Sequence, residues 1–240
     1  ALFAIRKNDI ASLQADDFTD ATPVSVVLPE PETIAVRSDL AEIAATTGGG
    51  TAVVTAAVGS GKATQVRSGR QLLRPDFARN GELWTFAAQG PGSIRVFDGE
   101  RQLRPEATEL PQMPIVAAKL SPDGTRLAVV CQDGRITLTG LAVVVRAENA
   151  IRLVNWRTLA ANLGSGVAST ALDVGWASAT ELAVLQKSAD GDTSVVRVSQ
   201  DGSAANDIGP TKSGTLRRLA VVPERPAVAL TDTGVGYRFV

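Results

Sequence analysis

Gly59-Ser60-Gly61-Lys62 carries the Gly-Lys pair that ends a phosphate-binding loop, but the rest of that motif is missing. The first glycine of the pattern would fall on Ala56, and Ala63 follows Lys62, so no hydroxyl is placed to reach a magnesium ion. Strand-like runs at Thr51–Val58 and Ala63–Val66 make the segment a hairpin turn, and Gly48-Gly49-Gly50 reads as a loop on the same grounds. The acidic run Asp16-Asp17-Phe18-Thr19-Asp20 offers oxygen ligands, yet it lacks the alternating Asp order and distal Glu of a calcium loop. Asp190-Gly191-Asp192 is shorter still, and both read as solvated turns. Carboxylates brought together from distant segments could serve glycoside hydrolysis. No spacing in the chain singles out such a pair.

The remaining chemistry is bounded by what the chain lacks. Its 240 residues include no histidine and one cysteine. That removes Ser-His-Asp and Cys-His pairs, HExxH zinc sites and an imidazole base. Cys131 alone can form neither an internal disulfide nor a CxxC redox pair. With 24 basic against 25 acidic side chains and a pI near 5.6, the broad basic surface that nucleic-acid binding needs is not expected. We therefore expect a non-enzyme without cofactor or metal, and no nucleic-acid partner.

Short apolar runs rich in Val, Ile, Leu and Thr must position whatever surface does the work. Asn80-Gly81, Asp98-Gly99, Asp123-Gly124, Asp133-Gly134, Asp190-Gly191 and Asp201-Gly202 fall between them, which is the signature of tight hairpins. The best helical candidate is Asn155–Leu163, stopped by Gly164. At 44% hydrophobic and 20% charged the composition is that of a globular domain. The longest apolar run, Leu141–Val145, is far shorter than the roughly 20 residues of a spanning helix.

Five segments align as repeats: Arg37–Ala45, Pro75–Phe86, Leu120–Val130, Trp176–Leu185 and Val222–Leu230. Taking Ile43, Leu83, Leu127, Leu182 and Val228 as anchors, the spacings are 40, 44, 55 and 46 residues. A period of roughly 40 to 50 residues with four short strands per unit predicts a β-propeller. The gap across the termini equals the longest spacing, so five blades are expected, with six as the alternative, closed by strands from both termini. Residues 1–240 would form this single domain. The opening Ala1-Leu2-Phe3-Ala4-Ile5 reads as strand, so the chain is expected to be excised from something longer. Trp84 and Trp176 sit at comparable points of the repeat and are expected to pack between blades.

Charge is uneven along the chain. Residues 1–61 carry 3 basic and 8 acidic side chains, whereas residues 62–104 carry 8 basic and 4 acidic. Such asymmetry suits the orientation of a protein partner, and Arg67, Arg70 and Arg74 are its densest basic positions. The longest repeat holds about ten extra residues around Arg152-Leu153-Val154-Asn155-Trp156-Arg157, expected to form an insertion on one face. Arg152, Asn155, Trp156 and Arg157 are the second candidate contact set, with Trp156 alternatively capping the core between two blades.

The third and fourth repeats resemble the C-terminal propeller of the actinobacterial LpqB lipoprotein family. The residues that carry the resemblance run from Leu120-Ser-Pro-Asp-Gly-Thr-Arg-Leu-Ala-Val-Val130 through Asp133-Gly-Arg-Ile136 and Val143-Val-Val-Arg146. They continue in Leu172-Asp-Val-Gly-Trp176, Glu181-Leu-Ala-Val-Leu185 and Val195-Val-Arg-Val-Ser-Gln-Asp-Gly202. The Ser-Pro-Asp-Gly turn is shared with many TolB-type propellers; the order of the whole set is more specific. The resemblance implies an extracytoplasmic protein held at the membrane by an upstream lipid anchor, with a GerMN-type domain in between. It also implies a role beside the MtrA-MtrB two-component system, acting on the extracytoplasmic domain of the sensor histidine kinase. We expect a monomeric, protein-binding propeller; the competing readings are a glycan-binding or hydrolytic propeller with a central-channel site, and a structural spacer.

Overall fold

A computed structural model of the chain describes residues 2–6, 9–13, 21–99, 101–134, 136–148, 150–159, 169–203, 205–212, 216–221, 223, 227–231 and 236–239. The acidic run 16–20 and the end of the expected helix, 160–163, lie outside them. The described residues form antiparallel sheets in chain order. The first is three-stranded: β1 (Leu2–Arg6), β2 (Asp9–Leu13) and β3 (Ala21–Val24). A four-stranded sheet follows, of β4 (Pro31–Val36), β5 (Glu42–Thr47), β6 (Ala52–Ala57) and β7 (Thr64–Ser68). The next holds β8 (Asp76–Phe77), β9 (Leu83–Thr85), β10 (Arg95–Asp98) and β11 (Arg101–Leu103). The third four-stranded sheet has β12 (Ile115–Leu120), β13 (Arg126–Asp133), β14 (Ile136–Ala147) and β15 (Ala150–Thr158). The fourth has β16 (Ser169–Trp176), β17 (Glu181–Ser188), β18 (Thr193–Ser199) and β19 (Ala205–Lys212). A three-stranded sheet of β20 (Leu216–Ala220), β21 (Ala227–Thr231) and β22 (Gly236–Phe239) ends the series.

The fold is therefore an all-β propeller with four complete four-stranded blades, and the expected count of five or six is corrected. The expected closure is corrected with it, because among the described residues β1–β3 pair with one another and β20–β22 with one another, in two separate sheets. The spacing argument assigned a full strand-and-turn length to every strand. The terminal strands are only four or five residues long, so the residues expected to complete one shared blade divide between two separate sheets.

The repeat has a local cause. In each of the first four repeats a short polar side chain accepts a hydrogen bond from the backbone N–H two residues on: Asp39 from Ala41 at 3.0 Å, Asn80 from Glu82 at 3.3 Å, Asp123 from Thr125 at 3.0 Å and Ser178 from Thr180 at 3.2 Å. The turn fixes the register that follows. Each anchor then pairs with the last residue of the preceding strand: Ile43 with Val36, Leu83 with Phe77, Leu127 with Leu120, Leu182 with Trp176 and Val228 with Ala220. All six Asn-Gly and Asp-Gly pairs lie in hairpin turns, their glycines at φ between 57° and 93°, a region that side-chain-bearing residues rarely adopt.

The chain falls into two compact units, Ala1–Glu106 with Arg146–Ile151, and Ala107–Val145 with Arg152–Val240. In the first, Ile10 joins Val26, Leu28, Ile43, Ala45, Val54 and Ala56 in one core. In the second, alternate residues of β17 serve different cores. Leu182 and Val184 pack with Val130, Val174 and Trp176, whereas Ala183 and Leu185 pack with Ile208, Leu216 and Leu219. That two-sided burial explains why Leu-Ala-Val-Leu is apolar throughout instead of alternating. Trp84 and Trp176 are buried as expected, their indole N–H groups donating to Glu82 Oε2 at 3.1 Å and to the Lys119 carbonyl at 3.2 Å.

The long repeat is corrected as well. Its extra residues lengthen the β14–β15 hairpin, and Asn155–Thr158 is strand, not helix. Asn155, at φ 55°, is one of four non-glycine residues with positive φ among the described residues. Its backbone N–H donates to Glu109 Oε2, which holds that irregular point in place.

Candidate functional site

Arg67 and Arg70, two of the basic positions expected to meet a partner, are brought together in the first unit. Arg67 projects from β7, the outermost strand of its sheet. Its Nη1 donates to the Thr85 carbonyl at 2.9 Å and to Thr85 Oγ1 at 2.8 Å, and its Nη2 donates to the Ser93 carbonyl at 2.6 Å. Beyond β7 the chain runs through Gly69 to Gln71, then pairs Leu72 with Ala87 beside β9. That bridge carries Arg70 toward the sheet β8–β11. Arg95 opens β10 and donates from Nη1 to the carbonyls of Gly92 and Ile94 at 2.9 and 3.2 Å. Arg104 follows β11.

These four arginines, with Gln89 and Gln102, line a cavity of about 530 Å³. Among the described residues, no acidic one lines it. Burial, and after it the charge of Arg95, push the Arg67 guanidinium down to about 10. Burial and the charge of Arg104 lower Arg95 in turn. Both shifts leave these two side chains cationic at neutral pH. Arg37 and Arg146 contrast with them, pairing with Asp39 and Glu42 and with Glu82 respectively. Among the described residues, none of the four cavity arginines has such a carboxylate.

Arg74 does not line this cavity. Arg95 and Arg104 were missed by sequence reading, because Asp98 and Glu100 between them dilute the local charge. The signal was in the Asp98-Gly99 turn. It sets Val96 opposite Leu103 and Phe97 opposite Gln102, which leaves Arg95 at the start of β10 and Arg104 just past the end of β11 on the same side of the hairpin.

The second expected set does not converge. Arg152, Asn155 and Arg157 are exposed along β15, the outermost strand of its sheet, and Trp156 is half-buried. The indole lies against Gly140, where a Cβ would stand 2.4 Å from Trp156 Cζ2, and its Nε1 donates to Thr158 Oγ1 at 3.2 Å. Arg157 donates to the Gln200 carbonyl. Trp156 thus covers the backbone of its own sheet rather than a core between two blades. Cys131 is buried, and burial pushes its thiol up to about 11, so it is a neutral packing residue at physiological pH.

A third feature was not anticipated. Val27, Leu40 and Val58 are 62%, 52% and 38% exposed. Their segments meet through backbone hydrogen bonds, from Val58 N to the Ala41 carbonyl at 3.0 Å and from Gly59 N to the Ser25 carbonyl at 2.7 Å. Leu40 sits at φ 59°, in the left-handed region. Beside it Arg37 bonds Asp39 at 2.9 Å and Glu42 at 3.2 Å.

A family model described as the lipoprotein LpqB beta-propeller domain matches residues 9–235. The chain belongs to this family. The lipoprotein LpqB of Cutibacterium acnes is 26% identical over 176 residues, which is 71% of this chain and 29% of that protein. The lipoprotein LpqB of Thermobifida fusca is 30% identical over 129 residues, 52% of this chain and 20% of that protein. The matched part of the chain thus spans less than a third of these LpqB relatives. Among solved structures, the chain is similar to hydrazine synthase of Kuenenia stuttgartiensis, with a TM-score of 0.65 at 15% identity over 92% of this chain and 67% of that one. It is also similar to TolB from Acinetobacter baumannii, with a TM-score of 0.60 at 13% identity over 96% and 59%. At those identities the likeness is one of fold alone, and it agrees with the LpqB-family propeller seen here.

Proposed function

We propose that this chain is a non-catalytic recognition module of a cell-envelope lipoprotein, docking a protein partner on the apolar turn cluster of Val27, Leu40 and Val58. The observation that carries the reading is Leu40. A left-handed backbone costs a side-chain-bearing residue about 1 kcal/mol or more relative to glycine, and this leucine, 52% exposed, does no more than offset that by its buried half. Folding alone gives leucine no advantage over glycine there, and its exposed half is free for a contact the isolated chain does not make. The Arg37, Asp39 and Glu42 network beside it supplies the polar rim that apolar interface centres carry.

The family resemblance points to the extracytoplasmic domain of the MtrB sensor kinase as the partner, with the lipoprotein tuning signalling to MtrA. LpqB relatives are named lipoproteins, and among the described residues no helix is long and apolar enough to cross a membrane. Both fit a module held at the envelope by a lipid anchor elsewhere in its protein. The hydrolytic alternative finds no support at the arginine-lined cavity, because a glycosidase needs paired carboxylates and this lining has none.

Leu40→Gly separates binding from folding. It should leave the melting temperature unchanged or raise it, since the strain is relieved, and weaken capture of the kinase domain by about tenfold, the usual cost of losing one apolar anchor. Calorimetry and surface-immobilised binding read the two effects. Undiminished capture would overturn the reading and leave a spacer role in its place.

A further inference from the structure

The arginine cavity is not needed for the docking just described, and its construction calls for a different explanation. Four arginines line about 530 Å³ of space, and among the described residues no acidic one joins them. Arg95 opens β10 and Arg104 directly follows β11, the strand paired with it. Like charges gathered in one place oppose one another. Arg67 is partly withdrawn from water on carbonyl oxygens of Thr85 and Ser93, which orient it without neutralising it. Arg37 and Arg146 show that this chain pairs its arginines with carboxylates where the fold requires it. Here it holds four arginines together without a carboxylate among them, at a cost to stability that an anion would offset.

The chemistry of that anion can be narrowed. A planar carboxylate takes one guanidinium fork and brings a single charge. Four arginines from β7, the turn after it, β10 and the segment after β11 match a tetrahedral group whose several oxygens accept from different directions. The volume lies within the roughly 300–1,000 Å³ of small-molecule sites, more than an inorganic ion needs. Gln89 and Gln102 add amide groups suited to hydroxyls or ester oxygens beside the charge. We propose that this cavity binds a phosphate-bearing ligand of at least two negative charges, either free in solution or as the headgroup of an anionic lipid.

The test uses the whole chain and its Arg70→Glu/Arg104→Glu variant. Both side chains are exposed, so the fold should survive; Arg67 is left intact because it holds the Thr85 and Ser93 carbonyls. Isothermal titration with pyrophosphate and with glycerol 3-phosphate probes the free source. Co-sedimentation with vesicles of phosphatidylglycerol in phosphatidylcholine, against phosphatidylcholine alone, probes the headgroup. The wild type should bind at least one of these probes, in preference to acetate at equal ionic strength. The variant should bind it on the order of a hundredfold more weakly, about tenfold for each guanidinium removed. Binding of the soluble compounds alone assigns a free ligand, and binding of the phosphatidylglycerol vesicles alone assigns a headgroup. Failure of all three probes, acetate binding as tightly, or a variant within threefold of wild type would each overturn the proposal. None of these outcomes involves Val27, Leu40 or Val58, so the docking surface stands or falls separately.

Discussion

Arg146→Met should lower the stability of the chain by about 2 kcal/mol at pH 7, between the costs of breaking an exposed and a fully buried ion pair, because Glu82 is buried while the Arg146 side chain is 29% exposed. Glu82 is 7% exposed, and its carboxylate accepts from Arg146 Nε at 3.0 and 3.1 Å, from Arg146 Nη2 at 2.9 Å and from Trp84 Nε1 at 3.1 Å. Burial alone would raise the Glu82 carboxyl, but the hydrogen bonds of Arg146, Asn80 and Trp84 outweigh it and hold the group below the usual carboxylate range. In the wild type that lowered value adds stability above the unfolded carboxyl value of about 4.3, and the gain is lost as pH falls through the folded value. Without Arg146 the Asn80 and Trp84 hydrogen bonds oppose burial alone, the carboxyl moves up from its wild-type position, and the variant keeps less of that gain. The difference between the two proteins should therefore be fully present at neutral pH and shrink as pH falls below about 4. Urea unfolding at several pH values reads it. A loss below about 1 kcal/mol at pH 7, or one that does not change with pH, would contradict the role given to this pair.

Gly140→Ala is expected to cost about 2–3 kcal/mol, in the range of overpacking substitutions, although alanine is ordinarily the better strand residue of the two. The added Cβ would stand 2.4 Å from Trp156 Cζ2 and 2.6 Å from the Arg157 carbonyl. The indole can swing away; the carbonyl belongs to the strand and cannot move without disturbing β15. Trp156 emission should shift to the red as the ring leaves its seat, while Trp84 and Trp176, 0% and 2% exposed, keep theirs. Wild-type stability with unchanged emission would show that Trp156 does not cover Gly140.

What the amino-acid sequence discloses here follows the range of the interactions involved. The repeat turns at Asp39, Asn80, Asp123 and Ser178 are bonds between residues two apart, and the Asp-Gly hairpins are equally local, so both could be read directly. Blade number depends on which strand takes which neighbour at the two ends of the chain. No spacing encodes that choice when β1–β3 and β20–β22 are four or five residues long. Helix and strand compete evenly over Asn155–Thr158, where Leu159 and Trp156 suit either period, and the long β14–β15 hairpin decides it. Arg67 and Arg70 stood out by charge density. Arg95 and Arg104 needed the hairpin, which brings two scattered basic residues to the lining of one cavity. Leu40 gives no sign in sequence, because an exposed leucine becomes informative only once its backbone is known to be left-handed.

Hydrogen exchange would show whether this LpqB-family propeller docks the proposed partner on its apolar turns. The chain would be mixed with the extracytoplasmic domain of the sensor kinase and exchange followed peptide by peptide. The expected result is a complex in which amides of the segments around Val27, Leu40 and Val58 become protected while β17 and β18, buried on both faces, are unchanged. A complex that protects other segments and leaves these three as they were, or no complex at all, would contradict it.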